Sequence, residues 1–143
     1  MARETVDRFF TQVGESPKLK AQGMEKFRKD LLQNAKEFYE RFIRERLDAP
    51  EVRQDLGLAH VRLAKIHQAL GDFAGAQTSS EKAIEILGEL ARARPDVADY
   101  QSDLATSHFE LGAVSFGVGR FDQAEAAYKQ ALAIQTKLGA VPK

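Results

Sequence analysis

A chain of 143 residues with 21 basic and 21 acidic side chains has a formal net charge of zero, which removes the broad attraction to phosphate that non-specific nucleic-acid binding depends on. Cysteine is absent, so disulfides, thiolate zinc sites and cysteine nucleophiles are excluded, and cysteine usage leaves the compartment open. No apolar run approaches the roughly 20 residues that span a bilayer, and Met1 to Phe10 mixes charged with apolar residues where a signal peptide would be hydrophobic; one soluble domain that does not insert into a membrane is expected.

Val6, Phe9, Phe10 and Val13 fall at helical spacing and predict a short helix over 2–13. The stretch from Gly14 to Gly23, with Pro17, separates it from the next helix. Met24, Phe27, Leu31, Leu32, Ala35, Phe38, Tyr39, Phe42, Ile43 and Leu47 recur at steps of three and four, one broad stripe of a helix over 24–47. Its other face, from Lys26 and Lys29 to Arg41 and Arg44, mixes both signs of charge and reads as solvated surface. Asp48 and Pro50 supply a polar cap and a first-turn proline for a helix over 50–70. Breaks at Gly71, Pro95 and Gly119 divide the rest into helices over 73–93, 96–118 and 121–139. No segment shows the alternation of a half-buried strand, so the fold class is all-α, built from about six antiparallel helices.

The second half of the chain repeats. An offset of 48 residues aligns Asp55 with Asp103, Leu56 with Leu104, His60 with His108 and Leu63 with Leu111 without a gap. It continues through Gly71 and Gly119, Phe73 and Phe121, Ala76 and Ala124, Ala83 and Ala131, Ile86 and Ile134, and Leu90 and Leu138. Self-similarity at one fixed offset marks stacked units. In a helix hairpin the glycine allows a left-handed turn, the phenylalanine is expected to re-enter the core, and the paired alanines thin the second helix where it crosses the first.

Residues 105–138, with Leu111-Gly112, Gly119, Phe121, Ala124, Tyr128 and Ala131, resemble the tetratricopeptide repeat at its usual spacings. Residues 57–90 match it through Leu63-Ala64, Gly71, Phe73, Ala76 and Ala83, with Ser80 in place of the aromatic of the second helix. The offset of 48 exceeds the common unit of about 34; the excess lies in 91–104 and should lengthen helices around Pro95. Residues 24–47 look like the second helix of a degenerate repeat, with Ala35, Tyr39 and Phe42 in place of the later aromatic and alanines. The expected organisation is one continuous domain: an N-terminal helical segment over 1–47, a first repeat over 48–94 and a second over 95–143. Taken whole, the order of Val6-Asp7-Arg8, the Met24 to Phe42 helix and the repeats resembles the region that follows the kinase domain in large bacterial receptor-type serine/threonine protein kinases.

Catalytic chemistry finds no support. A kinase needs a glycine-rich phosphate loop after a strand, a lysine on a following strand and a catalytic-loop aspartate; Asp72-Phe73-Ala74 lacks the third-place glycine of the magnesium motif and sits in the repeat's turn. His60 and His67, seven apart, are separated by about 10.5 Å along a helix, too far for paired ligands, and His60 and His108 hold a packing position of the repeat. Gly117 and Gly119 form a turn between helices without the strand that precedes phosphate loops. Glu81, Glu85 and Glu89 are i,i+4 neighbours on one face, mildly repulsive and not a catalytic dyad. No catalytic residue, metal ligand or cofactor is assigned, and the chain is read as no enzyme.

The resemblance implies a module that binds a protein or peptide in a groove lined by the first helix of each repeat. Its groove positions are Leu58, Val61, Lys65 and Gln68 in one repeat and Thr106, Phe109, Ala113 and Phe116 in the next. Val61, Phe109 and Ala113 stand where a carboxylate clamp would need polar groups. The other reading of Phe109 and Phe116 is that they pack into the Pro95 to Tyr100 segment. From a different class comes a self-association module: residues 124–138 are apolar over more than one face, and Tyr128, Ile134 and Leu138 are its expected contact in a homodimer. An enzyme with an unrecognised site is the third alternative.

Overall fold

In the computed structural model the described residues are 5–8, 24–45 and 50–139. Residues 5–8 form a turn of helix. Five longer helices follow: α1 (Glu25–Glu45), α2 (Pro50–Ala69), α3 (Phe73–Ala93), α4 (Ala98–Gly117) and α5 (Phe121–Gly139). The remainder of the helix expected over 2–13, the Gly14 to Gly23 loop and the Asp48 cap lie outside the described residues.

The α1 stripe buries Leu32, Ala35, Tyr39 and Phe42, with Glu25 in the first turn and Arg44 in the last, signs that complement the helix dipole. Those four side chains meet Ala59, Leu63 and Ile66 of α2 in the first core cluster. Tyr39 is 2% exposed and donates its hydroxyl to the Asp7 carboxylate, so the polar end of a buried ring is satisfied by the 5–8 turn.

The two hairpin turns are copies of one device. At the end of α2 the Gly71 N–H donates to Gln68 O (3.0 Å) and the Asp72 N–H to His67 O (2.8 Å), with Gly71 at φ +82°. At the end of α4 the Gly119 N–H donates to Phe116 O (3.1 Å) and the Arg120 N–H to Ser115 O (2.8 Å), with Gly119 at φ +81°. This pair of bonds closes a helix through a left-handed residue, a conformation that glycine adopts without a Cβ penalty. The next residue differs. Asp72 caps α3 by accepting the Gly75 N–H at 2.9 Å, whereas the cationic Arg120 reaches back to donate to Gln77 Oε1 on α3 at 3.1 Å.

Between α3 and α4 the chain turns through residues 94–97, where the Val97 N–H donates to Arg94 O at 3.1 Å. Pro95 and Asp96 are taken up in that turn, so α4 starts at Ala98 and not at 96. The added length of the second half therefore lies in the helices and one tight turn. Each helix packs on the next, and α2 also touches α4. With turns this short, consecutive helices run antiparallel. The second core cluster joins Val61 of α2 to Ala83 and Leu87 of α3, closed by Leu90 and by Leu104 of α4. Gly57 permits that approach, since a Cβ there would meet the Leu87 side chain at 2.7 Å.

Candidate protein-interaction surfaces

The first helices of the two repeats, α2 and α4, lie side by side. Gln54 Nε2 donates to Asp103 Oδ2 at 3.0 Å, and Lys65 Nζ stands 3.7 Å from Glu110 Oε1. Burial raises the Asp103 carboxyl above the usual carboxylate range, with the Gln54 hydrogen bond opposing. Leu58, Lys65, Gln68, Thr106 and Ala113 are half-buried along these helices. Leu58 and Lys65 share a helix face by their seven-residue spacing, as do Thr106 and Ala113.

Val61 does not belong with them. It is 1% exposed, held between Ala83 and Leu87 and closed over by Leu104, so a ligand on the α2/α4 strip cannot reach it; its assignment to the groove is corrected. Periodicity places residue 61 on the inner half of α2 but does not reveal that α4 folds over it.

Phe109 holds the position in the second repeat that Val61 holds in the first, and it is 52% exposed. Among the described residues no helix follows to cover it as α4 covers Val61. Its ring meets Tyr128 edge-on, with centroids 5.3 Å apart. Phe116, 60% exposed, meets Phe121 in the same way. Both rings meet aromatics of α5 and keep half or more of their surface exposed, which speaks against their being packed away in the 95–100 segment. Phe121 also departs from expectation. Its counterpart Phe73 is half-buried with its ring over Gly117, where an added Cβ would lie 3.2 Å away, whereas Phe121 is 60% exposed and has not re-entered a core.

The result is an apolar end face. Phe116, Phe121, Glu125, Tyr128, Lys129 and Leu132 line an open groove of about 390 Å³ along α5. Leu132, which is not among the contacts expected from the sequence, is 63% exposed, while Ile134 and Leu138 are half-buried. The signal that marks it is the repeat itself: Leu132 aligns with Ile84, on the α3 face that α4 packs against.

The histidines sit in the framework. Burial, followed by the charge of Lys82, lowers His60 to about 4 against the opposing pull of Glu85, and burial also lowers His108. His67 Nδ1 stands 3.0 Å from Asp72 Oδ2 at the first hairpin turn. Among the described residues no group of three His, Asp or Glu side chains is placed to hold a metal ion, and no helix is long and apolar enough to cross a membrane.

Two antiparallel hairpins at one fixed offset, closed by the same glycine turn and crossing at small residues, define a stacked helix-hairpin repeat protein. The tetratricopeptide repeat model matches residues 55–137, more than half of the chain, and the chain belongs to that family. Neither a curated protein nor a solved structure matches it. Tetratricopeptide repeats generally mediate protein–protein interaction, and the family is typically non-catalytic.

Proposed function

We propose that the chain binds a peptide or helical segment of another protein along the α2/α4 strip, with Leu58, Gln68, Thr106 and Ala113 as contacts and Lys65 beside Glu110 as its polar element. The observation that carries this reading is the juxtaposition of α2 and α4, bridged by Gln54–Asp103 and Lys65–Glu110, which leaves half-buried apolar and polar side chains along adjacent helices. An extended or helical ligand fits a surface of that kind, with apolar anchors between polar rims. The test is selection of peptides from a random display library on the 143-residue chain, followed by fluorescence anisotropy. Leu58→Glu and Thr106→Arg should weaken the selected peptides about tenfold or more, and Glu81→Lys on the exposed face of α3 should not. Peptides indifferent to both strip variants overturn the reading.

We further infer that the module serves inside a larger bacterial signalling protein as a regulatory part. The order of Val6-Asp7-Arg8, the α1 segment and the two repeats supports this through its likeness to the region after receptor-type serine/threonine kinase domains. Sequencing the reading frame upstream decides it: a kinase domain there is the expected result, and any other gene context overturns it.

A further inference from the structure

In the first repeat, the outer face of α3 is covered by α4, which runs antiparallel to it and contributes Leu104 and the bare backbone of Gly117, under Phe73. The corresponding face of α5 carries Phe121, Glu125, Tyr128 and Leu132, and among the described residues it packs against no helix beyond α4. The repeat thus specifies the shape of the missing cover: a helix laid antiparallel along α5. From this we propose that a second copy of the chain docks there, α5 against α5, about a two-fold axis.

The residues of the face support that occupant. Their spacing of four, three and four reads the same in both directions, so an antiparallel copy sets Phe121 opposite the partner's Leu132 and Glu125 opposite the partner's Tyr128, one position from the partner's Lys129. Such an isologous contact requires a self-complementary patch. This one meets the requirement, with two apolar pairs at the ends and one acid and one base near the centre, where two copies exchange opposite charges without net repulsion. Glu125 and Lys129 pair within one chain at 3.2 Å, both largely exposed, so re-pairing between copies exchanges one solvated contact for another. None of Leu58, Lys65, Gln68, Thr106 and Ala113 lines the α5 groove, and this inference does not depend on the peptide-binding reading.

A contact built mainly on one helix pair falls at the small end of specific interfaces, so association in the range of roughly 10–100 μM is expected. Sedimentation equilibrium on the 143-residue chain across that range tests it. The wild type should show a monomer–dimer equilibrium, and Leu132→Glu, which changes a side chain 63% exposed, should raise the dimer dissociation constant about tenfold or more while the helical circular-dichroism signal is kept. Glu125→Lys should weaken the dimer by placing lysines near each other, and adding Lys129→Glu should restore it. If Leu132→Glu fails to fold, this charge-reversal pair decides alone. A chain that stays monomeric to about 500 μM, leaving the face to some other occupant, overturns the proposal. So does a dimer that ignores Leu132→Glu, or one in which the double charge reversal gives no recovery.

Discussion

Gly112 lies beneath the ring of Tyr128: a Cβ on that glycine would come within 2.8 Å of two ring carbons. The first repeat has Ala64 and Ser80 at the same two positions, both fully buried. A glycine under a tyrosine in one hairpin and an alanine with a serine in the other divide the available space differently at the same helix crossing. Departure from the family pattern at Ser80 is thus matched by a departure at residue 64.

Gly112→Ala should therefore destabilise the fold by about 1–3 kcal/mol through overpacking, despite the better helix propensity of alanine. Gly139→Ala is the control, since a Cβ there meets nothing within 4 Å. Urea denaturation of the two variants measures the difference. Equal midpoints would mean the ring moves aside without cost.

Ala76 and Ala124 are 0% and 2% exposed in their hairpins. Replacing either with leucine should cost roughly 1–3 kcal/mol, because the closely packed second helix has no space for the larger side chain. The measurement is the denaturation midpoint, and unchanged values for both would place these alanines outside the core.

Val61→Glu and Phe109→Glu, at equivalent repeat positions, should behave in opposite ways. The first buries a carboxylate among Ala83, Leu87 and Leu104 and should lower stability by about 3 kcal/mol or more. The second alters a half-exposed ring, loses only part of its contact with Tyr128 and should cost about 1 kcal/mol. Thermal melting of the pair reads the contrast directly, and similar losses would show that the two positions are equally covered in solution.

Acid should weaken the fold through His60. Its pKa falls from 6.5 to about 4 in the folded chain, so between those values the unfolded chain binds the extra proton. The contribution is present in full above pH 6.5 and is lost as pH falls toward 4. With partial solvent access taken into account, it amounts to roughly 1–3 kcal/mol. His60→Gln should flatten the dependence of melting temperature on pH in that window. A variant that follows the wild-type curve would assign the acid sensitivity to other groups.

Helix boundaries are legible in the sequence because their signals are local. The three- and four-residue stripes, the glycines at 71 and 119 and the proline at 95 each act within a turn of the chain, and among the described residues the helix ends fall within one residue of expectation except the start of α4, which differs by two. Burial at positions 61 and 109 is not legible in the same way. Their alignment establishes equivalence, yet one is covered by the following repeat and the other is not, and that difference lies between elements far apart in sequence. The groove assignment fails at Val61 for this reason, and within α5 alone Leu132 does not stand out, because an apolar residue on an apolar helix gives no sign of which side is covered; only its alignment with Ile84 separates it from its neighbours.

Among the described residues α5 packs on α4 alone, whereas α3 is held on both sides, by α2 and by α4. In a linear array each neighbour adds its own share to the free energy of opening, so protection is uneven along the chain. Backbone amides of α5 should exchange with deuterium sooner than those of α3, and opening of α5 should leave the α1–α3 core in place. Any ligand or copy that covers α5 would then slow exchange in that helix first and leave a graded record of its contact in the amides.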